Sequence, residues 1–390
     1  MEVAQGSVLL AGGGVFAQTP APPRPAKIVT GPRLLPLTEF YEVPVPLPPG
    51  KPGELIRIEP SYEYRLSDQV TVYRLLYHSR SPNETDVVVS GVALLPDGPP
   101  PAGGWPIIAW AHGFNGAARH CAPSLLKDLN EGPLLSMYVR LGYAVVASDY
   151  AGLGTNSPHA ALDLRSNATD VINAIPAARA ALPQLGSRWV VAGYGFGSFV
   201  GVGVAEAENT IRDPNYLGVI GISGVAEPRE FFAGLPQSPA YPMLVFLAKG
   251  IKAVYPEFRV VDMLTDKAMP LYEYVDSACE AGSGPVPTAS DLLRPGWMNN
   301  PFVKEFFTRN SLDHRPTNGP LLLIAGENDT LVPNALMVRT VAGLCAQKAK
   351  VLSINYPGLD SGAVVENSVG EQLSWIKARF SGLRAPSNCS

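Results

Sequence analysis

The sequence predicts an α/β protein in which helices cover both faces of a mostly parallel sheet. Short apolar runs rich in β-branched residues recur along the chain, and helical patterns lie between several of them. Hydrophobic residues make up 46% of the 390 residues and charged residues only 16%, which is enough for a large core. Continuous apolar runs that alternate with helices are typical of parallel strands buried on both faces.

Seven apolar runs are predicted to be strands, over residues 87–95, 106–111, 143–147, 189–192, 217–222, 321–325 and 351–354. Helical patterns occupy residues 168–181, 333–346 and 363–380. This rhythm stops between Gly224 and Pro320, where the helix-like stretches "YPMLVFLAKGIKAV" and "PFVKEFFTRN" occur instead. Long insertions in compact domains are usually functional. We therefore predict a core over residues 27–224 and 316–390 and an inserted helical cap over residues 225–315. The alternative is an ordinary helical subdomain without a role in binding.

The first 26 residues are predicted to be a signal-like, proline-rich leader outside the fold. An apolar stretch over residues 7–17 ends at Ala17 in a small-residue cleavage pattern and is too short to span a bilayer. Glycosylation sequons begin at Asn83, Asn167, Asn328 and Asn388, and glycans are expected at Asn83 and Asn167. The four cysteines are compatible with two disulfides or with four reduced thiols. These features together favour a secreted protein or one of the secretory-pathway lumen.

Charge and composition exclude several classes of partner. The formal net charge is −4, and no run of Lys and Arg supports nucleic-acid binding. No stretch is long and apolar enough to be a transmembrane segment. No Cys/His pattern has metal-ligand spacing, so neither a metal nor another cofactor is predicted. The sequence leaves the oligomeric state open.

The stretch "VAGYGFGSFVG" contains the most informative loop. An apolar strand enters a glycine cluster and an apolar helix leaves it, which is the context of the G-x-S-x-G turn that presents a nucleophilic serine. Gly193 and Gly197 occupy the two glycine positions, but Gly195 stands between them and has no side chain. Ser198 falls in the first turn of the helix, where helical geometry should direct it away from the turn.

Further polar residues follow other predicted strands, where the ligand sites of open α/β sheets lie. "AWAHGFNG" places His112, Gly113 and Phe114 where an oxyanion-hole amide would lie, and "ASDYAGLGT" adds Tyr150. We interpret His112 and His159 as structural hydrogen-bonding residues, which is the commoner role of a lone histidine.

Two more candidate residues follow the last two predicted strands. "IAGENDTLVP" places Asp329 where the acid of a hydrolase would orient its histidine. "NYPGLDSGAV" places Ser361 where that histidine would stand.

From about Gly91 to its C-terminus, the chain resembles the secretory lipase family, the lipase A type of α/β-hydrolase. The motifs that carry the resemblance are Ala111-His112-Gly113, "CAPS" from Cys121, "SDYAGLGT" with His159 after it, Gly193-Tyr194, "GENDTLVP" from Gly326 and "YPGLDSGA" from Tyr356. Their order and spacing are specific together, although none is decisive alone. The resemblance implies an α/β-hydrolase fold and an ancestry among carboxylic-ester hydrolases.

The resemblance also assigns roles to positions. The family's nucleophile corresponds to Gly195, its acid to Asp329 and its base to Ser361, so only the acid is present. The oxyanion hole corresponds to the Gly113–Phe114 segment and to the backbone N–H of Phe196. The family's cysteine pattern implies Cys121–Cys279 and Cys345–Cys389 disulfides.

These replacements predict that the protein does not hydrolyse esters by a serine mechanism, because losing a triad serine or histidine costs roughly a million-fold in kcat. The first interpretation is a non-hydrolytic enzyme, a cyclase, isomerase or lyase acting on an apolar small molecule. Its candidate catalytic groups are Asp329, Ser361, Tyr194 and Tyr150, and its candidate substrate-binding residues are His112, Gly113, Phe114, Gly195 and Phe196. The alternatives are a pseudoenzyme that binds a lipid, ester or metabolite, and a residual ester hydrolase with an unidentified nucleophile.

Overall fold

The computed structural model describes residues 33–282, 284–312 and 315–389, and in this part of the chain the strands form one mixed, nine-stranded sheet. The predicted leader over residues 1–26 lies outside the described residues. The strands are β1 (Leu55–Ser61), β2 (Val70–Arg80), β3 (Asp86–Pro96), β4 (Trp105–Ala111), β5 (Ala144–Ser148), β6 (Leu185–Tyr194), β7 (Tyr216–Ile222), β8 (Pro320–Gly326) and β9 (Lys350–Tyr356).

The order of the strands across the sheet is β1-β2-β3-β5-β4-β6-β7-β8-β9. Strands β1 to β3 pair in antiparallel fashion, and β3 pairs with β5 in the same way. The remaining neighbours, from β5 through β4 to β9, are parallel. The prediction of a mostly parallel sheet is therefore confirmed, and the seven predicted strands correspond to β3 through β9.

Helices connect the parallel strands. They are α1 (Gly132–Arg140), α2 (Leu164–Ala181), α3 (Phe196–Ile211), α4 (Pro228–Gly234), α5 (Met243–Val254), α6 (Met269–Tyr274), α7 (Ala289–Leu292), α8 (Pro301–Asn310), α9 (Asn334–Ala346), α10 (Ala363–Asn367) and α11 (Val369–Phe380). Of these, none is both long and apolar enough to cross a membrane.

Alternate residues of the central strand β4 are buried in two different cores. Ile107 and Ala109 pack into the core that includes buried residues of α2 and α3. Ile108 and Trp110 pack into the opposite core, which includes buried residues of α1 and α11. Because successive side chains of a strand point to opposite faces, this division shows that helices cover both faces of the sheet, as predicted.

The segment between β7 and β8 contains α4 to α8, and no strand occurs among its described residues. It is fixed to the rest of the fold at several points. The Cys121–Cys279 disulfide joins it to the loop after β4. On α8, Arg309 forms a 2.9 Å ion pair with the buried Asp163, which caps the N-terminus of α2. A second disulfide joins Cys345 to Cys389. Both disulfide pairings implied by the family resemblance are confirmed.

One expected glycan is incompatible with the fold. Asn167 lies inside α2 with only 2% of its surface exposed, so a glycan could not be accommodated there and the expectation is wrong. The side chain is buried because it falls on the face of α2 that packs against the core. Asn83 lies in an exposed turn between β2 and β3, where glycosylation stays a prediction.

Candidate active site

The candidate site is built around a sharp turn between β6 and α3. Gly195 forms this turn with φ 54° and ψ −119°, a conformation that a residue with a Cβ atom rarely adopts. Its N–H donates to the carbonyl of Ile222 on β7 at 2.9 Å, and its carbonyl accepts from the N–H of Ser198 at 3.0 Å. A Cβ atom at Gly195 would have no atom within 4 Å outside its chain neighbours. The position therefore faces open space at a sharp turn between a strand and a helix.

The flanking glycines are required by close backbone contacts. A Cβ atom at Gly193 would lie 2.2 Å from the carbonyl oxygen of Gly197, and one at Gly197 would lie 1.9 Å from that of Ala111. Ser198 is buried, and its hydroxyl donates to the carbonyl of Ile222 at 2.6 Å. Ser198 is thus directed away from the turn, as its helical position predicts.

A cavity of about 250 Å³ opens in front of Gly195. Its lining is mostly apolar, and its polar members come from six different segments. The lining residues used below are His112, Gly113, Phe114, Asn130, Glu131, Tyr194, Phe196, Phe199, Ser223, Phe231, Phe232, Met243, Asp329 and Ser361. The structure thus brings together, at one edge of the sheet, all the predicted site residues except Tyr150.

Asp329, in the loop after β8, is nearly buried and well supplied with hydrogen bonds. Its Oδ1 accepts from the backbone N–H groups of Leu331 and Val332 at 2.8 and 2.9 Å. Its Oδ2 accepts from the hydroxyl of Ser223 at 3.3 Å. No histidine in the described part of the chain contacts this carboxylate, which is held by its own loop and by a neighbouring strand end.

The predicted role of Tyr150 is wrong. Its side chain is buried, its hydroxyl donates to the carbonyl of His112 at 3.0 Å, and it is not part of the cavity lining. The backbone of Tyr150 has φ 68°, which turns the residue under the loop that follows β4. Tyr150 therefore contacts the loop after β4 from outside the cavity.

Both ring nitrogens of His112 lie near backbone carbonyl oxygens, and the neutral ring can donate a hydrogen bond to one of them. Its Nδ1 lies 2.6 Å from the oxygen of Gly113, its Nε2 lies 3.1 Å from that of Asp149, and the ring stacks on Tyr150 at 4.1 Å between centroids. Burial lowers the pKa of His112 to about 4, against the smaller opposing effect of the two carbonyls. The ring is therefore neutral near pH 7, and it lines the cavity while it contacts the backbone.

Ser361 lies in the turn between β9 and α10 and lines the cavity. The turn is fixed by Asp360, whose Oδ1 accepts from the N–H groups of Gly362 and Ala363 at 3.0 and 2.8 Å. Sequence reasoning missed Ser223 and Glu131. Ser223 directly follows β7, so its position at the end of a parallel strand was a usable signal. Glu131 precedes α1, and no pattern in the sequence singles it out.

Comparisons with known proteins agree with this architecture. The sequence model of the secretory lipase family matches residues 129–388, well over half of the chain. No curated protein matches at the level of sequence. Among solved structures, lipase A of Candida antarctica in its closed state is similar with a TM-score of 0.74 and 16% identity, covering 90% of this chain and 87% of that one.

Two bacterial structures are also similar. The rice cell wall degrading esterase LipA from Xanthomonas oryzae has a TM-score of 0.68 and 19% identity, covering 86% of this chain and 100% of its own. A putative hydrolase from Legionella pneumophila has a TM-score of 0.71 and 18% identity, with 84% and 98% covered. At these identities the similarity establishes the fold.

Proposed function

Because the chain belongs to the secretory lipase family, we propose that it is a non-hydrolytic enzyme of that family, a cyclase, isomerase or lyase that acts on an apolar small molecule. One observation carries the proposal. Gly195 occupies the apex of a sharp strand-to-helix turn, in front of a formed cavity, and has no side-chain oxygen that could act as a nucleophile. A covalent acyl intermediate cannot form there, while substrate binding and orientation remain possible.

The proposed chemistry depends on positioning and proton transfer. Holding a flexible substrate in a reactive conformation can lower a barrier by about 7–11 kcal/mol without any nucleophile. The backbone N–H of Phe196 and the Gly113–Phe114 segment border the cavity and are suited to polarise a substrate carbonyl. No cofactor is required for a step of this kind.

Two side chains are suited to move a proton. The Asp329 carboxylate, which no described histidine contacts, is the candidate base. Burial raises the pKa of the Tyr194 hydroxyl, and the nearby Glu131 and Asp329 carboxylates add to the effect. Tyr194 therefore stays protonated near pH 7 and is the candidate donor. Ser361, which follows the neighbouring parallel strand β9, adds a hydroxyl to the cavity.

The segment over residues 225–315 is proposed to act as the cap of this site. Phe231 and Phe232 on α4 and Met243 on α5 contribute to the cavity lining, so the segment supplies part of the apolar surface that a substrate would contact. Membership of the secretory lipase family and two disulfides are consistent with a secreted protein. We extend the proposal to a function outside the cell or in the secretory pathway.

The test is an untargeted mass-spectrometric comparison of a metabolite extract before and after incubation with purified protein. We expect a consumed compound and a product of equal mass, or of lower mass after elimination, and neither in the presence of Asp329→Asn. A product heavier by one water would support hydrolysis instead. A compound that copurifies with the protein and is never converted would support the pseudoenzyme alternative.

A further inference from the structure

Among the described residues that line the cavity there are two carboxylates, those of Glu131 and Asp329, and no cationic side chain that balances their charge. Of the lining residues that the structure describes, none is Lys or Arg. His112 is the one described histidine in the lining, and burial keeps it neutral near pH 7. The cavity therefore has a negative electrostatic character on an apolar background, which is unfavourable for a carboxylate-bearing ligand.

Of the two acids, Glu131 makes fewer interactions with the rest of the protein. It precedes the first turn of α1, is half-buried, and its carboxylate has no hydrogen bond or ion pair to any described residue. Burial raises the pKa of Glu131, the neighbouring Asp128 adds to the rise, and Arg33 opposes it. Arg33 is exposed outside the cavity and is already engaged with Asp128 at 3.2 Å and with Asn130 at 2.6 Å. An approaching cation would thus meet an unpaired carboxylate.

Aromatic rings form much of the remaining wall. The rings are those of Phe114, Tyr194, Phe196, Phe199, Phe231 and Phe232. The faces of aromatic rings attract cations, and the attraction increases in a desolvated site. A carboxylate beside several such rings is the arrangement that recognises alkylated ammonium groups.

We infer that the cavity binds an apolar ligand that carries a positive charge, an amine whose ammonium group pairs with Glu131 and whose apolar part contacts the aromatic wall. The inference rests on the proposed function only in placing the substrate in this cavity. It adds a substrate class, apolar amines, and assigns a specificity-determining role to Glu131. It also excludes free fatty acids as preferred ligands, because no described cation is present to pair with their carboxylate.

The test uses three probes of matched chain length, titrated by calorimetry at pH 7 below their micellar concentrations. The probes are octyltrimethylammonium, octanol and octanoate. We expect the cation to bind at least about tenfold more tightly than octanol, and octanoate to bind most weakly. Equal binding of all three probes, or preference for octanoate, would overturn the inference.

Variants assign the effect to one residue. Glu131→Gln should lower the affinity for the cation at least about fivefold and leave octanol binding unchanged, which also shows that the cavity remains formed. Glu366→Gln, on the exposed surface of α10, is the matched control and should bind all probes like the wild type. Unchanged cation binding by Glu131→Gln would overturn the role of Glu131.

The outcome is separable from that of the proposed function. If the protein prefers the cation but converts no compound in the extract experiment, the inference that it binds apolar amines stands and the proposal that it is an enzyme is rejected. If the protein converts a neutral compound and shows no preference for the cation, the proposal that it is an enzyme stands and the inference that it binds apolar amines is rejected.

Discussion

The Ser223 hydroxyl donates a hydrogen bond to Oδ2 of Asp329 across 3.3 Å. The two residues follow the neighbouring parallel strands β7 and β8, and Ser223 has φ 69° and lines the cavity. The carboxylate of Asp329 is therefore paired with a hydroxyl. This makes Ser223 the strongest candidate nucleophile for the residual-hydrolase alternative, although a carboxylate is a much weaker base than a serine alkoxide and would deprotonate it poorly.

The wild type should show no burst and no turnover with p-nitrophenyl esters, and fluorophosphonates should label no residue at the turn. The reason is that Gly195 has no side-chain hydroxyl and the Ser223–Asp329 pair includes no imidazole. Stopped-flow absorbance and mass spectrometry of the treated protein check this. Hydrolysis by the wild type that disappears in Ser223→Ala would identify Ser223 as the nucleophile. Hydrolysis that survives both Ser223→Ala and Asp329→Ala would require one that we have not identified.

Glycine substitutions at the turn should differ strongly in their effect on stability. At Gly195 an added Cβ atom meets no neighbour, so Gly195→Ala should cost only about 1–2 kcal/mol, from its positive φ. At Gly197 the same atom would lie 1.9 Å from the Ala111 carbonyl oxygen, so Gly197→Ala should cost about 3 kcal/mol or more. Urea unfolding of the two variants measures both. Equal costs would show that the backbone of the turn relaxes more easily than this packing implies.

The loops at the carboxyl ends of parallel strands were predictable from the sequence because such strands end at one edge of a sheet. This placed Gly195, Asp329 and Ser361 together without any knowledge of contacts. The orientation of the Tyr150 side chain could not be predicted in the same way. Its loop was placed correctly, but the direction of its side chain depends on a positive φ that the residue type does not announce.

The antiparallel strands β1 and β2 were missed for a different reason. Strand β2 contains Arg74, which is buried yet pairs with Glu59 at 3.1 Å and with Glu63 at 2.8 Å. A charged residue interrupts the apolar run by which strands were recognised, and its partners lie on and after β1, so only the folded structure shows how the charge is balanced. Glu131 was missed because its proposed role depends on the lack of a described cationic side chain in the cavity lining, which only the folded structure shows.

Stability should depend on pH through the buried Asp170. Its carboxylate accepts hydrogen bonds from the N–H of Ala151 at 2.8 Å and from the hydroxyl of Ser79. Burial raises the pKa of Asp170 to about 7 in the folded protein, against an ordinary value of 3.8. The folded state therefore retains a proton that the unfolded chain loses, and this contribution to the free energy of unfolding falls as pH rises from about 4 to 7.

Asp170→Asn removes that titration, since its amide keeps both an acceptor and a donor but cannot ionise. The free energy of unfolding of the variant minus that of the wild type should rise between pH 4 and pH 8. The rise should be up to about 4 kcal/mol, at 1.4 kcal/mol per pKa unit. His112 and His159, whose pKa burial lowers to about 4, contribute with the opposite sign in both proteins and cancel in the difference. Asp291→Asn is the exposed control, and its difference should be flat above pH 5 because Lys267 lowers the pKa of Asp291.

Restoring Gly195→Ser alone should give little esterase activity. The new hydroxyl would project into open space at the turn, but without a base it would remain protonated and weakly nucleophilic. Ser361→His alone should give none, because it adds a base without a nucleophile.

The double variant Gly195→Ser with Ser361→His should recover hydrolysis of short p-nitrophenyl esters, on the order of 10²–10⁴-fold above Gly195→Ser, which is the usual contribution of a positioned general base. Residues 195 and 361 both line the cavity with Asp329, whose carboxylate would orient the new imidazole. Adding Asp329→Ala to the double variant should remove most of the gain, and fluorophosphonate should label residue 195 in the double variant. A double variant that folds, keeps Asp329 and hydrolyses no faster than Gly195→Ser would show that position 361 is not where this site holds its base.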